Sequence, residues 1–399
     1  MAQATSDIVI SGGGVAGLTA ACAFGAAGFS VVVVEPTPPI TDAGAAGADL
    51  RTTAFLMPSV DVLQAAGLWA RLAPFAAPLQ IMRIIDAGGA DPTPRLTRDF
   101  IASDISDAPF GYNLPNWLLR REMTQRITEL PNIRFVQSQS CTGLITRDTE
   151  ASVRLSSGEV IHARLAIAAD GRASTLRAAA GIGVKTIPYA QKAIVFAVNH
   201  NAPHGDVSTE IHRTGGPFTL VPLQDQNGRP ASSVVWMETA QEASRLMALP
   251  DADFQAQANI RSAGVLGQLS VITKRSAWSM MGQFAKQMSA QRLALIAEAA
   301  HVVPPIGAQG LNMSLADLAA LLELARARPE ELGDTAMLAA YHRKRHAEVV
   351  VRVLGIDALN RASMAQSQPL RDLRKFGLNL LHGITPLRHA AMKAGLGLR

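Results

Sequence analysis

The sequence predicts an α/β fold: a Rossmann-like parallel-sheet domain with an inserted β-sheet domain and a helical C-terminal tail. Three stretches predict it. Residues 7–35, "DIVISGGGVAGLTAACAFGAAGFSVVVVE", read as strand, glycine turn, helix and strand. Across about residues 184–282, short apolar or alternating runs are separated by Gly, Pro, Asn and Asp, the pattern of a sheet. In the tail, apolar residues recur at helical spacing among basic ones.

The opening stretch is the most specific. Ile8 to Ile10 enter the glycines, an Ala-rich helix follows, and Val31 to Val34 close on Glu35. Gly12, Gly14 and Gly17 form GxGxxG. Gly12 makes the tight turn, Gly14 lets a pyrophosphate approach the backbone, and Gly17 lets helix and strand pack closely. The phosphate would sit at the helix N-terminus, where unpaired N–H groups and the dipole attract an anion. Glu35, about 20 residues on, is placed for the hydroxyls of an adenosine ribose. The motif serves NAD and FAD alike.

At 399 residues the chain is long enough for two or three domains, and 48% hydrophobic with 17% charged residues describes a folded protein. No apolar run reaches the roughly 18 to 20 residues of a membrane span. The start, "MAQATSDIVI", lacks the basic and apolar regions of a secretory signal, so the expected location is the cytoplasm. Cys22 and Cys141 form no CxxC pair and no metal-ligand cluster, so core thiols and no metal site are expected. The net charge of +5 is concentrated at one end. Residues 361–399 hold Arg361, Arg371, Arg374, Lys375, Arg388, Lys393 and Arg399 against a single acid, Asp372. Such a tail suits nucleic acid or an anionic membrane, and the near absence of interleaved aromatic residues argues against nucleic acid.

Four later segments narrow the cofactor. "DLRTTAF" (49–55) places Arg51 where it either reaches a diphosphate or stays a solvated charge. "NWLLRREM" (116–123) leads into a helix through Arg120 and Arg121, and "AIAADGRASTLR" (166–177) is an apolar strand ending in Asp170-Gly171 with Arg177 beyond. "AEAAHVVPPIGAQGLN" (297–312) sets a carboxylate and a histidine before a Pro-Pro break and two glycines, wording that suits neither a core helix nor a core strand. In this order, over nearly the full chain, the motifs resemble the single-component flavin-dependent aromatic hydroxylases, whose last segment reads "GDAAHxxPPxGxGxN".

The resemblance implies a FAD-binding domain assembled from residues 1–78, 101–183 and 283–335. Substrate-domain strands would lie at 79–100, including an extra strand at Leu79 to Asp86, the substrate sheet at 184–282, and a helical region at 336–399. Gly12, Gly14, Gly17, Glu35, Arg51 and Arg121 would bind the ADP half of FAD. Asp170 would lie near the pyrophosphate and the visiting NAD(P)H, and Glu298 would meet a ribityl hydroxyl. Past Pro305 a helix would aim the N–H groups of Gly310, Leu311 and Asn312 at the flavin's N1/O2 edge, which becomes anionic on reduction. This chain has Ala297-Glu298 where the family commonly has Gly-Asp, which puts the carboxylate on a longer stem. His301 would support this turn.

Hydroxylases of small aromatic acids share the "VPPxGAxGLN" wording, but they hold a substrate carboxylate with an Arg beside tyrosines on the sheet. Here "GGPFTLVPLQDQNGRPASSVVWM" (215–237) supplies Phe218, Val221 and Leu223 and no such set. It is similar to the "FxLLPL…SSxVW" wording of the ubiquinone-biosynthesis hydroxylases, and the tail "QPLRDLRKFGLNLLHGITPLRHAAMKAGLG" resembles theirs. The resemblance implies a monooxygenase that uses NAD(P)H and O2, through a flavin C4a-hydroperoxide, to hydroxylate a polyprenylated phenol, with a ubiquinone-biosynthesis complex as a partner. A hydroxylase of a soluble aromatic acid and a non-catalytic flavin- or quinone-binding accessory subunit remain open readings. Tyr189, His212 and His301 are candidates, by residue type, for taking the phenolic proton. Leu370, Leu373, Phe376, Leu380 and Leu381 fit a helix lying on an anionic bilayer at the inner face of the membrane, or equally one packed on the protein's own core.

Overall fold

A computed structural model describes residues 6–89, 91, 93–226 and 228–397; Arg399 of the basic tail lies outside them. The opening stretch folds as its pattern requires. Ser6–Ser11 and Val31–Glu35 are parallel neighbours with Ile8 opposite Val31, and the helix Val15–Ala26 crosses between them. The sheet continues in parallel on both sides. Val160–Ala168 and then Leu293–Leu295 follow on one flank, and Ile133–Gln137 on the other. Ile8, Ile10 and Val33 are fully buried, as strands covered on both faces must be. Cys22 and Cys141 are buried free thiols, and burial pushes Cys22 up to about 12 and Cys141 to about 11.

The second sheet has nine strands among the described residues. Its order runs His301–Val302, Ser276–Ala285, Val184–His200, Arg229–Thr239, Pro217–Gln226, Val207–His212, Ile81–Asp86, Leu96–Ile101, with Leu269–Val271 paired to Val184–His200. The expected strand near Leu79 to Asp86 is Ile81–Asp86, which joins this sheet in parallel with Val207–His212. Two helices, Ala240–Met247 and Asp251–Arg261, interrupt a region that the sequence pattern suggested was all strand. Thr239 caps the first of them by accepting the Glu242 N–H.

These helices decide which sheet face is which. Side chains alternate along a strand, and residues directly opposite one another point the same way. Phe218, Trp236, Ile211 and Ile85 therefore share the face that packs on Phe254 and Leu246 of the two helices. This corrects the expectation for Phe218. It is fully buried and meets Trp236 edge-on at 5.4 Å, so it belongs to the core behind the sheet. Val221 and Leu223 point the opposite way with Ser233, whose Oγ is 2.7 Å from Thr52 Oγ1 of the first domain.

Beyond the sheets lie a long helix, Thr335–Ser363, and a terminal helical hairpin, Gln368–Gly383 and Thr385–Leu396. The hairpin's inner side chains, Leu378, Leu381 and Met392, pack on Phe100, Phe110 and Met82. Leu381 thus turns inward, while Leu370, Leu373, Phe376 and Leu380 stay exposed. Among the described residues no helix is long and apolar enough to cross a membrane.

Candidate functional site

The glycine turn is built by contacts that admit no side chain. A Cβ on Gly17 would lie 1.9 Å from the Gly12 carbonyl oxygen, and one on Gly12, at φ +104, would lie 2.3 Å from the Ala169 oxygen. A Cβ on Gly14 would meet nothing within 4 Å, so the turn is open at Gly14. Glu35 holds the turn from the next strand: its Oε2 accepts the Gly13 N–H at 2.5 Å and its Oε1 the Thr37 N–H at 3.1 Å. No side chain caps the helix that begins at Val15, so its N-terminal dipole faces the opening.

Asp170 follows the strand beside the turn. Its Oδ2 accepts the N–H groups of Thr175 and Leu176, at 3.0 and 3.3 Å, while its Oδ1 is buried with no hydrogen-bond partner. A buried carboxylate oxygen calls for a donor, and a cofactor hydroxyl fits it. Arg177, expected as part of the same motif, is buried and clamps backbone: it donates to the carbonyls of Ala299 and Arg172, both at 2.8 Å. That clamp joins the Asp170 loop to the segment that begins at Ala297.

Ala297 adopts φ +56, a left-handed conformation that favours glycine, and this accounts physically for the glycine in the family's wording. Ala297→Gly is expected to raise stability by about 0.5–1 kcal/mol, read as a shift in denaturant midpoint at unchanged slope. A lower midpoint would show that the backbone strain is not relieved. Glu298 is half exposed, pairs with Arg172 at 3.3 Å, and acts electrostatically on Arg51.

Arg51 is gripped rather than solvated. Its Nε and Nη2 form a fork with Asp49, each bond 2.7 Å, and its guanidinium lies 4.5 Å over the Trp278 ring from the substrate sheet. The bonds to Asp49 hold the guanidinium pKa above its ordinary value. Asp49 also accepts from Asn116 Nδ2 at 3.1 Å and stands 3.9 Å from Arg120. Burial pushes the Asp49 carboxyl up, yet Arg51, Asn116 and Arg120 together hold it below its usual range. Arg121 instead bonds Glu122 at 2.9 Å and lies between the rings of Phe75 and Trp117.

The Pro-Pro break leads, through left-handed Gly307 and Ala308, into the helix Gln309–Ala327, which has no side-chain cap. Pro305 and Gly310 are exposed, and Leu311 is half-buried at the opening turn of that helix. Asn312 stitches the helix in place. Its Oδ1 accepts the Leu56 N–H at 2.8 Å, and its Nδ2 donates to the carbonyls of Ala54 and Ala308 at 2.7 and 2.6 Å. Gln309 donates to the carbonyls of Gly307 and Gly395, at 2.8 and 2.9 Å, and accepts from Arg352 at 2.8 Å. Below them, buried His301 Nε2 meets Asp317 Oδ2 at 2.6 Å, and Arg345 Nε reaches Asp317 Oδ1 at 2.8 Å. His301 thus ties the strand before the break to the helix Gln309–Ala327.

The other two proton-acceptor candidates lie elsewhere. Tyr189 is buried near Asp357 and Arg361 of the long helix; burial first, then the Asp357 charge, push its phenol well above the ordinary range. His212 Nε2 is 2.7 Å from Glu210 Oε1, and its Nδ1 is buried without a partner. By register, Glu210 is opposite Thr219, so the pair shares the sheet face of Val221.

Asp49, Asn116, Trp278, Gln309, Asp317 and Arg345 were not singled out in the sequence. Asp49 had a signal, two residues before Arg51; the others meet their partners across long chain separations, which no local pattern records.

The chain matches the FAD binding domain family over residues 5–353. It is 33% identical over 400 residues to the ubiquinone hydroxylase UbiL of Rhodospirillum rubrum, covering 99% of this chain and 90% of that protein. To the 3-demethoxyubiquinol 3-hydroxylase of Escherichia coli it is 28% identical, with all of both chains covered. In fold it superposes on the p-nitrophenol 4-monooxygenase PnpA of Pseudomonas putida DLL-E4 with a TM-score of 0.80, at 19% identity, over 100% of this chain and 99% of that one. The chain is therefore a member of the FAD binding domain family, related over nearly its full length to the ubiquinone hydroxylase UbiL.

Proposed function

We propose that the protein is a FAD-dependent monooxygenase that uses NAD(P)H and O2 to hydroxylate the ring of a polyprenylated phenol in ubiquinone biosynthesis, working peripherally at the membrane. One observation carries the substrate class. The sheet face turned to the first domain presents Val195, Ala197, Val221, Leu223 and Val235 and, among the described residues, no arginine with tyrosines to hold a carboxylate. Similarity to ubiquinone hydroxylases supports the same reading.

Bound FAD supplies the hydride acceptor and the oxygen-transfer chemistry. The chain's own residues bind, orient and shield. Gly12, Gly14 and Gly17 would cradle the pyrophosphate against the first helix, with Arg51 and Asp170 at its sides and Glu35 near the adenosine ribose. Glu298 would face the ribityl chain, and the Gln309 helix would present its first N–H groups to the ring. The apolar sheet face orients the phenol and keeps water away from the ring. His212, steadied by Glu210, is the proposed acceptor of the phenolic proton, because of the three candidates it has a carboxylate partner on that face.

Two measurements test this. Purified protein should show the two visible absorption bands of bound flavin, and a short-chain prenyl phenol should accelerate NAD(P)H oxidation with ring hydroxylation. Acceleration by a benzoate and none by the phenol would favour a hydroxylase of a soluble acid; a colourless protein indifferent to added FAD would favour an accessory subunit. His212→Gln should lower kcat about a hundredfold with the flavin spectrum unchanged. An unaltered kcat would remove His212 from the mechanism.

A further inference from the structure

Among the described residues, the terminal hairpin has one face without a partner in the fold. Its inner face is fixed by Leu378 and Leu381 on Phe100 and by Arg374, 3.0 Å from buried Asp86. Around the helix from them, Leu370, Leu373, Phe376 and Leu380 are 55, 63, 64 and 49% exposed, and Ile384 and Leu387, at and just beyond the turn between the helices, are 45 and 43% exposed. Single exposed leucines are ordinary; four large apolar side chains in one helical stripe, with two more exposed at the adjoining turn, mark an interaction surface. Because the inner face is already packed and ion-paired, rotating the hairpin to hide the stripe would expose Leu378 and Leu381 and pull Arg374 off Asp86.

Charge decides what covers the stripe. Of the basic residues in 368–396, Arg374 is turned inward on Asp86 and Arg388 stands 3.5 Å from Asp104. That leaves Arg371, Lys375 and Lys393 against one acid, Asp372, which Arg95 already neutralises at 2.7 Å. A second copy would bring the same positive surround against itself. Anionic headgroups would be attracted to it, and acyl chains would take up the leucines. We propose that this stripe is the surface by which the protein lies on an anionic bilayer, with Leu373 and Phe376 at its centre.

The sheet register shows what this surface is next to. Val221 shares its face with Glu210, Glu210 with Ile84, and Met82 on that same face with Phe100, on which the hairpin packs. The hairpin therefore covers the outer strands of the face whose inner strands look towards the FAD-binding domain. A prenyl chain entering beside the hairpin reaches Val221 and Leu223 without crossing the sheet. The inference rests on the proposed function for what enters, but the surface is tested by lipid binding alone.

The test is co-sedimentation of the full chain with vesicles of phosphatidylcholine, with and without phosphatidylglycerol. The intact protein should pellet with the anionic vesicles, and salt should weaken the association. Leu373→Asp combined with Phe376→Asp should bind roughly tenfold or more weakly, with unchanged thermal midpoint and flavin spectrum, since both side chains are exposed. Equal pelleting of both proteins, or intact protein left in the supernatant, overturns the proposal. So does an intact protein that elutes as a dimer and a double variant that elutes as a monomer, which would assign the stripe to a second copy. Vesicle binding as described without any phenol hydroxylation would leave the surface standing and remove the proposed reaction.

Discussion

Asp317→Ala should cost about 3–5 kcal/mol of folding stability, because removing the shared acceptor takes the buried Arg345 guanidinium off its innermost partner and leaves His301 Nε2 without its hydrogen bond. Asp317 is fully buried and serves two partners, His301 and Arg345. In the intact protein Asp317 outweighs the burial that would lower the Arg345 pKa and holds it above its ordinary value. After the substitution Arg345 keeps only half-exposed Glu348, at 2.6 Å, as an ion-pair partner. Urea unfolding followed by circular dichroism measures the loss. Asp317→Asn, which keeps an acceptor of the same shape, should lose less. Because His301 lies just before the Pro-Pro break, the Ala variant should also bind FAD more weakly. Full stability in the Ala variant would mean that Arg345 finds another partner and that the network does not hold the turn.

The second large effect separates two glycines of one motif. Gly17→Ala would drive a methyl group to 1.9 Å from the Gly12 oxygen, a backbone atom with no rotamer to yield. It should destabilise the domain by about 3 kcal/mol and reduce FAD affinity by about two orders of magnitude. Gly14→Ala meets no atom within 4 Å, so the unliganded fold should keep its thermal midpoint. Its methyl group would nevertheless occupy the space left for the pyrophosphate, and FAD affinity should fall. Fluorescence titration with FAD beside a thermal melt reads both effects. Equal melting temperatures for the two variants would contradict the contact geometry.

The contrast between these predictions reflects how legible each site was. Gly12, Gly14, Gly17 and Glu35 lie within one strand-turn-helix-strand unit, so spacing alone defines their places. Asp317 is an ordinary helix residue in the sequence; its importance arises when His301 and Arg345 reach it from 16 and 28 residues away. Phe218 was misplaced because the run "FTLV" was read as one apolar surface, whereas strand alternation sends Phe218 and Val221 to opposite faces. Helical spacing found the tail's apolar residues, but Leu381 falls on the inner face with Leu378, so that helix serves both the core and the outside. The helices at residues 240–261 were missed because their turn signals resembled those between the surrounding strands, although Thr239 and Glu242 carry a cap.

One side chain gives the two ends of this arrangement a common fastening. Gln309 opens the helix after the Pro-Pro break, and its amide holds the Gly307 carbonyl on one side and the Gly395 carbonyl of the terminal hairpin on the other. Two segments far apart in the chain are therefore bound by the nitrogen of a single carboxamide. A change at that one side chain would release both the turn before the helix and the end of the hairpin at once.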